Sequence, residues 1–200
     1  MGSRAVVTLR DATVDDAPHL LELWAACAGA GHGDGSEAFA QQILWRRPDA
    51  LEAAEAMAYN FENRARRIIL ALDGEGVVGA VVGDLATVSP ISRAGMLIVT
   101  DVHVRPEYRR RSVARLLLSA MAAHAEENGC EIVVASVPAQ ARETNRYFTK
   151  VGFNQLAVLR GVQTSRLRAR LDDKIAHARG NGRLLAVRRT LRRRQEAALN

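Results

Sequence analysis

The stretch GMLIVTDVHVRPEYRRRSVARLLLSAMAAHAEENG, residues 95–129, decides the fold. Its first part, 96–104, is mostly β-branched and apolar, as a buried strand is. Two polar residues interrupt it, Asp101 and His103, and a period of two places them on one face. Pro106 and Glu107 mark a turn. Beyond it Val113, Leu116, Leu117, Ala120, Met121 and His124 recur at helical spacing, and Asn128-Gly129 is a helix stop. A strand that feeds a helix through a short turn leaves unpaired backbone N–H groups at the helix start, where the helix dipole also favours an anion. Arg109, Arg110, Arg111 and Arg115 stand at that start, so the order of residues predicts a phosphate-binding turn.

The segment from Val104 through Arg109-Arg110-Arg111-Ser112-Val113-Ala114 to Leu118 resembles the acyl-CoA pyrophosphate loop of the GNAT superfamily of N-acyltransferases. The family pattern is Arg or Gln, two residues, Gly, one residue, then Gly or Ala; here Ser112 replaces the first glycine and Ala114 keeps the last position. Tyr147-Phe148-Thr149-Lys150-Val151-Gly152-Phe153 is similar to the family's later Tyr-x-Lys-Leu-Gly-Phe signature, with Phe148 where the tyrosine would be. The resemblance covers residues 5–160 by element order and only these two segments by residue.

Length and composition agree with one domain and an appendage: 200 residues, 48% apolar and 25% charged, the proportions of a soluble globular protein. No apolar run is long enough to span a membrane, and residues 1–10 hold no signal-peptide core, so the expectation is a cytoplasmic protein without a membrane role. Cys27 and Cys130 lack metal-ligand spacing, and no metal is expected. The net charge of +6 is uneven. Residues 1–160 hold 17 basic and 19 acidic side chains, whereas 161–200 hold 11 and 3, a net of +8. The basic character belongs to the tail. We therefore divide the chain into a catalytic domain, 1–160, and a basic helical extension, 161–200.

In chain order, residues 5–13 alternate like a strand, and Asp15-Asp16 opens a helix whose apolar side carries Leu20, Leu21, Leu23 and Trp24, with Trp24 read as core. The sequence GAGHGDG, 29–35, follows a helix, whereas a dinucleotide fingerprint must follow a strand, so it reads as a flexible loop and His32 as solvated. Residues 36–63 are helix-prone with a break near Pro48. Phe39, Trp45, Met57, Tyr59 and Phe61 stand between core and pocket wall, with core favoured. Residues 68–72, a turn at 73–76 and residues 77–88 form a hairpin. Residues 130–137 are a second buried strand parallel to 96–104, residues 142–151 a short helix closed by Gly152, and 153–160 a closing strand. The fold class is α/β (α+β), and the resemblance implies a mixed central sheet whose parallel pair splays to admit the pantetheine arm of the cofactor.

The resemblance also assigns the site. Acetyl-CoA is the implied co-substrate, held by the loop from Arg109, Arg110, Arg111, Ser112, Val113 and Ala114 to Arg115, by the strand backbone at Val102, His103 and Val104, and by Asn145 and Phe148. The arginines supply charge-assisted contacts to phosphates. Ser112 is expected inside the first helical turn, where serine is sterically acceptable and its hydroxyl adds a donor. Asp101 is either a proton acceptor for an amine or a partner of a neighbouring arginine. His103 is a second candidate base, with packing as a strand histidine the favoured alternative, and Asp84 and Glu143 are weaker acidic candidates. The family tyrosine protonates the departing thiolate. With phenylalanine at 148, either Tyr147 or water serves, or the step runs without an acid.

Two narrow apolar stripes, Leu167, Leu171, Ile175 and Ala178, then Leu184, Val187 and Leu191, cross the tail. They read as helices packing on the domain or on a second copy of the chain, ahead of a nucleic-acid contact through the arginines, since no aromatic interleaves them. The function expected is transfer of an acetyl group from acetyl-CoA to an amine, in a small molecule or a protein, by direct attack. The alternative is a non-catalytic acyl-CoA-binding protein that acts through its tail on nucleic acid or a partner protein.

Overall fold

A computed structural model describes residues 6–29, 48–74, 76–138 and 141–172. The glycine-rich loop with His32, the positions of Phe39 and Trp45, and the tail from residue 173 lie outside the described residues. The chain divides into a unit ending at Asn154 and a second unit from Gln155.

The first unit runs β1 (Thr8–Asp11), a 3-10 turn (Val14–Asp16), α1 (Ala17–Gly29), α2 (Ala50–Glu62), β2 (Arg66–Asp73), β3 (Gly76–Thr87), β4 (Gly95–Val104), a second 3-10 turn (Pro106–Tyr108), α3 (Val113–Glu127), β5 (Cys130–Ala135) and α4 (Arg142–Val151). The five strands lie in sequence order in one sheet. β1 to β4 are antiparallel and β5 joins β4 in parallel, as a strand returning from the α3 crossover must. The mixed α/β fold expected from the sequence is therefore the observed one.

Local chemistry explains the element ends. Asp49 caps α2 by accepting from the Glu52 backbone N–H at 2.9 Å, directly after Pro48, whose ring disfavours helix before it. Gly74, at φ +62°, turns the β2–β3 hairpin. Gly152, at φ +111°, closes α4, with its N–H donating to Phe148 and Thr149 carbonyls.

Two apolar layers cover the sheet. One face, with Ile69, Ala71, Val81, Leu97 and Val99, packs on Val113, Leu117 and Met121 of α3 and Phe148 of α4. The other, with Ile68, Leu70, Ala80 and Val82, packs on Leu20 and Leu23 of α1 and Met57 of α2. The buried stripe of α3 is Val113, Leu117, Leu118, Met121 and Ala125, rotated from the expected one so that Leu116 is exposed. Met57 is core, while Tyr59 and Phe61 are exposed.

The entry to α1 is fixed by a buried carboxylate. Asp16, 3% exposed, receives Arg10 through two bonds of 2.6 and 2.7 Å and the Thr13 backbone N–H at 2.8 Å. The Arg10 hydrogen bonds, opposed by burial, hold its carboxyl well below the usual carboxylate range. A depressed folded-state pKa means stability that is present above an unfolded aspartate's ~3.9 and is lost as the pH falls. Asp16→Ala should cost about 2–3 kcal/mol in urea unfolding at pH 7 and should flatten the loss of stability below about pH 4.

The expected closing strand is not present: residues 153–163 carry no regular structure. Phe153 at the start of this run packs against the core, whereas Leu156, Val158 and Leu159 are exposed, and an unpaired strand lacks independent stability. In the second unit a helix spans 164–172, with Leu167 and Leu171 exposed and Arg168 paired to Asp172 at 3.9 Å.

Candidate active site

The site is built from β4, and β4 changes phase within itself. Its register against β3 runs Val82 to Asp101 and then Gly83 to Val99, leaving Thr100 as an extra residue. Such a bulge reverses the alternation beyond it. Leu97 and Val99 face α3 before it, and Val102 and Val104 rejoin that layer after it. Asp101 and His103 are thereby turned to the α1 face.

The same strand loses its parallel partner at this point. Pairing of β4 with β5 ends at Val99 and Ala135, with the Ser136 N–H donating to the Val99 carbonyl at 2.9 Å. Among the described residues β4 has no parallel neighbour in the sheet from residue 100 onward, which is the expected splay. On the other side the Arg105 N–H donates to the Val78 carbonyl at 2.9 Å. Strand alternation then turns the backbone of His103 toward β3 and that of Val102 and Val104 toward the open edge. Of the three strand residues expected to offer backbone groups, His103 is thus engaged in the sheet while Val102 and Val104 face the gap.

The arginine turn follows directly. Arg105 anchors it, donating through Nε to the Val77 carbonyl at 2.8 Å. Tyr108 donates its hydroxyl to Asp73 at 2.8 Å, and the Arg111 guanidinium lies 5.1 Å from the Tyr108 ring centroid. Arg110 and Ser112 both adopt left-handed backbone, at φ +63° and +65°. Ser112 is therefore not in the first turn of α3 but is its N-cap, and its side chain makes no capping bond. For a non-glycine residue that conformation costs on the order of 1 to 2 kcal/mol. Alternating left-handed residues point successive N–H groups into one concavity, an anion-binding nest. Val113 is buried against α3's own core, Ala114 is half-buried, and Arg109, Arg110, Arg111 and Arg115 are exposed around the nest. Open strand edge and nest together fit a long ligand ending in phosphates.

Asp101 and His103 form a pair on the α1 face, with His103 Nε2 3.6 Å from Asp101 Oδ1. Burial pushes the Asp101 carboxyl up, but hydrogen bonds from His103 and Thr100 and the nearby charges of His103 and Arg66 outweigh it and hold the group below its ordinary value. Burial alone would lower the His103 imidazole; its contacts with Asp101 and Cys27 prevail and raise it to about 9. At neutral pH the pair is imidazolium and carboxylate. Asp84, by contrast, accepts two bonds of 2.7 Å from Arg66 and serves the β2–β3 ladder, and Glu143 is exposed in the first turn of α4.

On α4, Tyr147 and Phe148 take different parts. Phe148 is buried, edge-on to Tyr147 at 5.9 Å and to Phe153 at 5.0 Å. The Tyr147 hydroxyl is buried without a hydrogen-bond partner among the described residues, and burial raises its pKa, so it keeps its proton. The Asn145 amide donates to the Pro138 and Ala141 carbonyls, both at 2.9 Å, and so holds the β5–α4 connection together.

Two residues at this site escaped the sequence reading. Trp24 packs against His103 with the rings tilted by 42° and their centroids 4.1 Å apart, and Cys27, one turn later on α1, donates Sγ–H to the Val104 carbonyl at 3.5 Å. Their spacing of three on an amphipathic helix was the available signal, but it equally fits core packing.

Known proteins share this fold. A solved transcriptional regulator from Bacillus halodurans C-125 superposes with a TM-score of 0.63 at 17% identity, covering 80% of this chain and 99% of that one. A ribosomal-protein-alanine N-acetyltransferase from Brucella melitensis biovar Abortus 2308 gives 0.60 at 18%, covering 79% and 99%. An aminoglycoside N-acetyltransferase in complex with CoA gives 0.63 at 13%, covering 82% and 98%. No curated relative matches in sequence. Residues 37–153 match the model of the acetyltransferase (GNAT) family. That match spans more than half of the sequence, and the chain belongs to the GNAT acetyltransferase family.

Proposed function

We propose that the protein transfers an acetyl group from acetyl-CoA to the amine of a small molecule or a protein, by direct attack of the amine on the thioester. The observation that carries this reading is the junction of an open β4 edge with an arginine-ringed nest, one continuous surface suited to a pantetheine arm and its phosphates. Acetyl-CoA supplies the activated acyl group; every other contribution comes from the chain. The backbone groups of Val102 and Val104 hold the arm. The N–H groups of residues 112–114 and the side chains of Arg109, Arg110, Arg111 and Arg115 hold the phosphates. Phe148 and Asn145 support the wall from behind.

Asp101 is the proton acceptor in this reading. It is charged at neutral pH, half-exposed on the α1 face, and able to attract an ammonium and receive its proton through water. His103, already protonated, orients Asp101 and is not itself the base. Tyr147 offers a phenol proton for the departing sulfur.

Isothermal calorimetry with CoA tests the cofactor half of the proposal. Arg109→Ala with Arg111→Ala should weaken binding about tenfold, since two exposed charge contacts at about 0.7 kcal/mol each sum to the ~1.4 kcal/mol of a tenfold change. Absence of CoA binding by the unmodified protein would end the proposal.

A further inference from the structure

The arginine turn is held at its two ends by β3 and the core, and in its middle by one side chain. At the near end the Arg105 N–H and Nε donate to the Val78 and Val77 carbonyls, at 2.9 and 2.8 Å, and at the far end Val113 is buried. Between them, among the described residues, the Tyr108 hydroxyl makes the only side-chain hydrogen bond that leaves 106–112, donating at 2.8 Å to Asp73 at the end of β2. The Arg111 guanidinium lies over the same ring, 5.1 Å from its centroid. Arg111 stands between Arg110 and Ser112, the two residues with left-handed backbone. Neither is a glycine, so both conformations carry a steric cost that contacts elsewhere must meet. The chain from Asp73 through Tyr108 to Arg111 is placed to meet it, since it ties the turn to the β2–β3 hairpin and pins the residue between the two strained ones. No step of the proposed transfer uses Asp73 or Tyr108.

We propose that Tyr108 is a positioning residue for phosphate binding: bonded to Asp73 and covered by Arg111, it keeps the arginine turn in its nest conformation before any ligand arrives. The proposal rests on the acyl-CoA reading above. A preformed nest presents its N–H groups without reordering the backbone on binding, which raises affinity by removing that ordering cost. Without the tether, Arg110 and Ser112 relax toward the right-handed or extended backbone that arginine and serine favour, and successive N–H groups no longer converge on one anion. Tyr108 itself touches no substrate; it acts through the conformation of residues 110–112.

The test is isothermal calorimetry of the full chain with CoA and with inorganic pyrophosphate, beside an NMR titration with pantetheine, which carries the arm and no phosphate. Tyr108→Phe keeps the ring beneath Arg111 and removes only the hydroxyl. It should weaken CoA and pyrophosphate binding about tenfold each, the effect of one hydrogen bond to a charged group, and change pantetheine binding less than about twofold. Made in the Asp73→Ala background, Tyr108→Phe should change CoA binding less than about twofold, because the partner of the hydroxyl is already gone. Asp73→Asn should bind CoA at least about threefold more tightly than Asp73→Ala, since both remove the charge and only asparagine keeps an acceptor for the phenol. CoA affinity within about twofold of the original in Tyr108→Phe, an equal loss for pantetheine, an undiminished loss in the Asp73→Ala background, or equal affinities in the two Asp73 variants would overturn the proposal. Pyrophosphate binding that depends on Tyr108, with no binding of CoA, would keep the tethered nest and remove the acyl-CoA reading instead. Failure of both ligands to bind the unmodified chain would remove both.

Discussion

Asp101→Asn is expected to lower turnover by about 10²- to 10⁴-fold, measured as CoA thiol release with a panel of amines, with the KM for acetyl-CoA nearly unchanged. The side chain keeps its size and its place on the α1 face, so the variant removes charge and basicity and little else. The proposed cofactor surface is remote in kind: it consists of the backbone edge at Val102 and Val104 and the arginine turn, neither of which uses the Asp101 carboxylate. A second readout separates catalysis from pairing. His103 owes its raised value of about 9 in part to Asp101, so its NMR titration should move downward in the variant. A downward shift with turnover within a few-fold of the original would assign Asp101 to holding His103 and would remove it as the proton acceptor.

The largest stability effect should come from Leu117→Ala. Leu117 is fully buried where α3 crosses β3, and its Cδ1 lies 3.3 Å from where a side-chain carbon on Gly79 would stand. The absence of a side chain at Gly79 allows this close approach, so the helix cannot settle further to fill a void. Removing the leucine leaves the lost transfer energy and a cavity, about 2–5 kcal/mol, which in a domain of this size lowers Tm by roughly 5–15 °C. Leu116→Ala, one residue earlier and exposed, should change stability by less than about 1 kcal/mol. If the two variants unfold alike in differential scanning calorimetry, the buried face of α3 has been misassigned.

What the sequence could show was whatever local chemistry decides. The β2–β3 hairpin is legible because a turn cluster separates two apolar runs, and α3 because its apolar residues recur with helical spacing and end at Asn128-Gly129. The arginine turn is legible as a motif, but not the handedness of Ser112. Serine adopts left-handed backbone only where its surroundings impose it, and nothing in its neighbours announces that. The bulge at Thr100 is silent for a similar reason, because the run Val99-Thr100-Asp101 lacks the glycine or proline that usually marks one. The meeting of Cys27 with Val104 is a contact across 77 residues, set by how α1 lies on the sheet. The strand expected over 153–160 shows the opposite error, in which local propensity is read as structure although a strand exists only through a partner.

The extra residue at Thr100 makes β4 two strands of opposite phase spliced end to end. Substitutions on either side sample one phase only, but deleting Thr100 would slide the second half back into step with the first. Asp101 and His103 would then enter the apolar layer under α3, while Val102 and Val104 would turn to the α1 face. No side chain except that of Thr100 need be removed for the acidic group, the imidazole and the apolar wall to exchange places. In this chain the location of the chemistry is therefore a matter of counting along one strand, and a deletion is the mutation to which it is most vulnerable.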